Sequence, residues 1–198
     1  METCRIGVAG VMGAGKSTVS RYFAEHGFTI IDADSRAKAL MNSDCALIDT
    51  LAQTFGSQVR GEQGLDFRNL GARAFSSVSH LRQLNNVVHP TLLNTLRREV
   101  DSYKRCVLDA ALIPLWGIES WFDELIWVRA DAAIRRERLK KVTGLSSAEI
   151  VRRMMIQEEL FCEPNGNSWV VLVNDDSVDV LRERLARVGR GAICRGNE

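Results

Sequence analysis

The stretch Gly10-Val11-Met12-Gly13-Ala14-Gly15-Lys16-Ser17-Thr18 contains the pattern G-x-x-x-x-G-K-[ST]. Glycine at three of these positions lets a backbone turn sharply and bring its N–H groups close to phosphate oxygens. A helix starting at Lys16 adds partial positive charge at its N-terminus, and Lys16 adds a full one. The Ser17 hydroxyl is of the type that ligates Mg²⁺ already held by phosphates. A glycine-rich turn that binds nothing is the plain alternative. The apolar run Ile6-Gly7-Val8-Ala9 before the loop and the helical pattern Val19, Tyr22, Phe23 after it favour a phosphate-binding loop for a nucleoside triphosphate. Two carboxylates, Asp32 and Asp34, end the next apolar run. They lie where open α/β sheets hold their ligands, and either could be a solvated strand-end acid instead. Asp109 ends a third such run and reads either as a carboxylate orienting Mg²⁺ or as a helix cap.

A second group of charges is basic. Arg135, Arg136, Arg138, Lys140 and Lys141 fall within seven residues, followed by Thr143-Gly144 and then Arg152 and Arg153. Such a run is usually a solvated face. In a triphosphate-binding chain, two basic helices joined by a glycine turn also suit a lid over phosphate charge, because phosphoryl transfer needs cations around the moving group. Asp131 is a candidate N-cap for the first of these helices, and Ser146-Ser147-Ala148-Glu149 has the form of a capping box opening the second.

Apolar runs at 6–9, 28–31, 105–109, 124–128 and 169–173 alternate with helical patterns. This alternation predicts an α/β fold of the P-loop NTPase type, with a five-stranded parallel sheet between two helical layers. Residues 56–64 read as a turn or exposed loop, a final helix fits 178–188, and the tail from Gly189 is expected to fray. The chain of 198 residues reads as one domain. Within it, segments 1–34, 103–130 and 168–190 form the nucleotide-binding core. Segment 35–102 reads as a helical insertion beside the sheet, either a substrate-covering subdomain or simple helical padding, and 131–167 reads as the lid. A net charge of +1 gives no global signal for nucleic acid or a membrane surface. Five scattered cysteines lack zinc spacing and suit a reduced compartment. The expectation is a cytoplasmic protein with small-molecule substrates, no nucleic-acid or membrane partner, and a monomeric state.

Together these residues resemble the dephospho-CoA kinase family. The phosphate loop, Ile31-Asp32-Ala33-Asp34, Leu65-Asp66, His89-Pro90 in the insertion, Val107-Leu108-Asp109, Arg138-Leu139, Gly144-Leu145-Ser146, Arg153, Gln157 and Asn174 follow that family's order along nearly the whole chain. The resemblance implies ATP and Mg²⁺ as cofactors and dephospho-CoA as acceptor, with the γ-phosphoryl passing to the ribose 3′-hydroxyl. It makes Lys16, Asp34, Asp32 and Arg138 the candidate catalytic residues, and residues 10–18 with Asn174 the ATP site. Asp34, His89 and Arg73 become acceptor contacts, Arg138, Lys141 and Arg153 the lid cations, and Ser17 with Asp109 the metal ligands. Two positions depart from the family pattern: Leu115 stands where a glutamate is common, and Val142 where a lid arginine is. A nucleoside monophosphate kinase and a catalytically weakened relative are the alternative readings.

Overall fold

The computed structural model describes residues 3–62, 64–164 and 168–188. The first 25 or so residues form strand β1 (Cys4–Ala9), the glycine loop and helix α1 (Lys16–Glu25). Strand β2 (Thr29–Asp32) runs directly into α2 (Ala33–Ser43), followed by α3 (Cys45–Phe55). Asp32 ends the strand and caps the helix, its Oδ1 accepting from Ser35 N at 3.0 Å. The helix therefore starts two residues earlier than the sequence suggests, and Asp34 sits in its first turn. Residues 56–64, read as a plain loop, instead include a short 3₁₀ turn and the start of a small antiparallel hairpin, β3 (Arg60–Gly61) with β4 (Gly64–Leu65). Its strands are two residues long, too short for any periodicity to reveal.

Helices α4 (Phe67–Ala74) and α5 (Val78–Ser102) complete the stretch between β2 and β5 (Arg105–Asp109). The 25-residue α5 carries Pro90 in its interior, which removes one helical hydrogen bond at the turn bearing His89. Then come α6 (Ile113–Trp116), β6 (Glu124–Arg129), α7 (Ala132–Thr143), α8 (Ser147–Leu160), β7 (Trp169–Val173) and α9 (Val178–Val188). Both expected caps of the basic helices form: Asp131 accepts from Ala133 N at 2.7 Å, and Ser146 and Glu149 make a reciprocal capping box. The tail expected to fray lies outside the described residues.

Five strands form one parallel sheet in the order β2-β5-β1-β6-β7. Its side chains divide between two cores with the two-residue period of a strand. Ile6, Val8, Val107, Ile126 and Val128 point to the face covered by α1 and α9, with Phe23, Leu181 and Leu185. Ala9, Cys106, Leu108, Leu125 and Trp127 point to the other face, where α2, α3 and α5 supply Met41, Leu51, Leu92 and Leu96. Burial on both faces explains why the strands read as continuous apolar runs. A third, small core of Leu139, Ile150 and Met154 joins α7 to α8, and Met12 of the glycine loop packs against it.

Candidate functional site

The glycine loop leaves the C-terminal end of the central strand β1, where parallel sheets of this type place their ligands. Its shape depends on backbone angles that side chains rarely adopt, with φ of 146° at Gly10 and 100° at Gly15, the N-cap of α1. A Cβ on Gly10 would also overlap the carbonyl oxygen of Val128, and one on Gly15 would overlap the amide of Asn174. The loop is buttressed from beneath. Asn174, only 5% exposed, donates from Nδ2 to the Ala14 carbonyl at 2.7 Å. Arg138 donates to the same carbonyl at 3.4 Å and to the Asn174 carbonyl at 2.9 Å. From α8, Gln157 accepts from the Met12 N–H at 2.6 Å, so one loop amide is bound to the α7–α8 pair.

The basic run divides its labour. Arg138 holds the loop, whereas Arg135 is buried and ion-paired to Glu158, tying α7 to α8. Lys140 pairs on the surface with Glu137. Lys141 is exposed and does not line the cleft described below, and Val142 stands 78% exposed beside it.

On the acidic side, Asp32 and Asp109 are register partners at the ends of β2 and β5. Ser20 Oγ on α1 donates to Asp109 Oδ2 at 3.1 Å. Burial pushes the Asp109 carboxyl up; Lys16 and the Ser20 hydrogen bond pull it down, and Asp32 and Asp34 push it up again. Ser17 is exposed at the start of α1. Among the described residues no cluster of three or more His, Cys, Asp or Glu side chains is arranged to hold a metal. That does not disqualify Mg²⁺, which is commonly held by one or two carboxylates together with substrate phosphates and water. Ser17 with Asp109 beside the phosphate loop is a donor set of that kind.

Lys16 and Asp34 both line a cleft of about 470 Å³ between α2, α4, α5, α6 and α8. Its walls are mostly apolar, including Met41, Phe67, Phe75, Leu84, Val88 and Phe161. The polar groups that line it are few: Lys38, Asn85, His89, Arg153 and Gln157 besides Lys16 and Asp34. His89 accepts at Nδ1 from the Trp116 Nε1–H at 3.0 Å, which leaves the neutral ring's proton on Nε2. Burial lowers the His89 pKa to about 4, so the ring is neutral at pH 7. The Arg153 guanidinium lies 4.9 Å above the Phe75 ring. Arg73 does not line the cleft; it is exposed and donates to Gln58 Oε1 at 3.1 Å. Leu115, in place of the family's usual glutamate, is 44% exposed, and its neighbour Trp116 is the side chain that reaches the cleft. A second, more open depression of about 950 Å³ lies between the start of α5 and the outer face of α8, and holds none of the expected site residues.

Sequence reasoning did not single out Asn85 or Trp116, and used Gln157 only as a family match. The amphipathic pattern of α5 contained one signal: Asn85 falls on its buried face, among Leu81, Val88, Leu92 and Leu96.

Comparison with known proteins shows the family and the fold. A family model described as dephospho-CoA kinase matches residues 4–179. The dephospho-CoA kinase of Corynebacterium diphtheriae is 34% identical over 190 residues, spanning 92% of this chain and 93% of its own. That of Bacillus licheniformis is 34% identical over 164 residues, spanning 80% and 82%. Among solved structures, TT1252 from Thermus thermophilus superposes with a TM-score of 0.69 at 28% identity, covering 95% of this chain and 97% of that one. The dephospho-CoA kinase from Campylobacter jejuni shares the fold, with a TM-score of 0.56 at 19% identity over 94% and 96% of the two chains.

Proposed function

This chain belongs to the dephospho-CoA kinase family, and we propose that the cleft between Lys16 and Asp34 is where it moves the ATP γ-phosphoryl group onto the 3′-hydroxyl of the dephospho-CoA ribose, giving CoA and ADP. One observation carries the assignment. A phosphate-loop lysine and an exposed carboxylate in a helix first turn line one and the same cleft, whose walls are mostly apolar.

In this reading residues 10–18 cradle the triphosphate through their N–H groups, and Lys16 neutralises charge on the β- and γ-phosphates. Asp34 orients the acceptor hydroxyl in line and takes its proton as the new P–O bond forms. Phosphoryl transfer asks mainly for positioning and charge stabilisation, so an ordinary carboxylate suffices. Asp32 acts one step back, since its cap on α2 fixes the turn that carries Asp34. Arg138 and Asn174 hold the loop in its binding shape from below. His89 offers an Nε2–H to an acceptor oxygen, a donor fixed by Trp116. Ser17 and Asp109 would hold Mg²⁺, which supplies charge neutralisation on the phosphates when bound. Segment 35–102 then takes the acceptor, and 131–167 closes over the nucleotide.

The test is acceptor-dependent ADP release from purified protein with ATP and Mg²⁺, comparing dephospho-CoA with AMP and CMP. Stimulation by dephospho-CoA alone is expected. Stimulation by a nucleoside monophosphate would transfer the assignment to that kinase class.

A further inference from the structure

Two polar side chains that line the cleft each have a buried nitrogen with no hydrogen-bond partner among the described residues. Asn85 on α5 is 9% exposed, and its Nδ2 is buried with no hydrogen bond, among the apolar side chains of Leu81, Leu84 and Val88. Arg153 on α8 has a buried Nε without a partner, and no carboxylate forms an ion pair with its guanidinium among the described residues. Burial lowers the Arg153 pKa; Glu149 offsets part of this, and neighbouring Arg152 lowers it again. A buried amide nitrogen and a buried guanidinium nitrogen without hydrogen-bond partners are each destabilising, unless a ligand completes them.

The location says which ligand. Arg153 does not reach toward the glycine loop as Arg138 does. It packs on the Phe75 ring, and its terminal nitrogens are 3.7 Å from where a Cβ would stand on Gly71. Gly71 lies within α4 and Phe75 caps its C-terminal end, on the acceptor side of the cleft, and the missing side chain at Gly71 leaves room beside the guanidinium. Of the charged groups that line the cleft, Lys16, Lys38 and Arg153 are cationic and Asp34 alone is anionic. A cation with this surplus around it, beside an amide donor, suits a doubly acceptor-rich anion. We propose that Asn85 and Arg153 form a subsite for the diphosphate bridge of the acceptor, with Arg153 compensating its charge and Asn85 donating to a bridge oxygen. This rests on the acceptor reading given above. It separates the two lid arginines by substrate: Arg138 serves the nucleotide loop, and Arg153 the acceptor.

The test uses Asn85→Leu and Arg153→Met in the full chain, with steady-state kinetics in both substrates and thermal melting without ligand. Each variant should raise KM for dephospho-CoA by about tenfold or more, the usual cost of losing a charge-assisted contact, with KM for ATP within about threefold of wild type. Asn85→Leu should also melt about 2 °C or more higher than wild type when no ligand is present, because it replaces an unpaired buried amide by an apolar group of similar size. A merely structural Asn85 would give the opposite sign in melting. A rise in KM for ATP alone in Arg153→Met would put that arginine on the nucleotide and overturn the subsite, as would unchanged KM for dephospho-CoA in an active Asn85→Leu. Wild-type protein that ignores dephospho-CoA would instead sink the acceptor reading itself, and the two failures are thereby distinct.

Discussion

The half-buried pair of His89 and Trp116 makes a prediction about stability and pH. Within the fold, burial holds the His89 pKa at about 4, whereas in the unfolded chain an exposed histidine titrates near 6.5. Between these values the unfolded state takes up a proton that the folded state refuses. The stabilisation this gives is complete above about pH 6.5 and is lost as pH falls toward 4. At about pH 4.5 the difference integrates to roughly 2.5 kcal/mol, trimmed to about 2 kcal/mol for a ring that keeps some contact with solvent. Carboxylates titrate in the same window, so the wild-type curve alone cannot isolate this contribution. His89→Gln can, because it removes the titrating ring and keeps a donor. Urea unfolding of both proteins at about pH 7.5 and pH 4.5 should show the wild type losing about 2 kcal/mol more than the variant between the two conditions. Whatever stability the substitution costs at neutral pH cancels in that comparison. Equal losses would mean that the ring protonates freely in the folded protein, and the neutral-donor role of His89 would fall with it.

Other consequences concern the loop and the lid. Gln157→Leu removes the acceptor on the Met12 amide, and KM for ATP should change several-fold while KM for dephospho-CoA does not; kinetics identical to wild type in both substrates would show the contact to be incidental. Arg138→Ala should raise KM for ATP by about tenfold or more, since two loop-supporting hydrogen bonds go with it. Lys141→Ala should leave both constants within about twofold, and equal damage from the two variants would mean that α7 acts as a diffuse basic surface. Lys16→Ala should nearly abolish turnover while the protein still melts cooperatively, and near-normal turnover would remove Lys16 from its role.

What could be read before the structure was local. The glycine loop, the strand ending in Asp32, the Asp131 cap and the Ser146–Glu149 box are each contained within a few residues, and each formed. The parallel sheet followed from strands with apolar residues on both faces. The features that needed the fold are contacts between distant segments. Gln157 lies 145 residues from Met12, and Trp116 lies 27 from His89. No periodicity announces such pairs. The basic run shows the same limit: its charge was legible, but only packing decides that Arg135 is buried against Glu158, Arg138 supports the loop and Lys141 faces solvent. Arg73 was an acceptor candidate on charge and position in the insertion, and the turn of α4 directs it to Gln58 instead of the cleft wall.

The most direct measurement is the position and rate of the transferred phosphate. Phosphorus NMR of the product formed from dephospho-CoA should show one new phosphomonoester on the 3′ carbon of the ribose. Asp34→Asn should form it about 10²–10⁴ times more slowly at saturating substrate, the range for loss of a positioned proton acceptor. A phosphate at another position, or an Asp34→Asn variant with unchanged kcat, would contradict the assignment of this cleft and this carboxylate to the reaction.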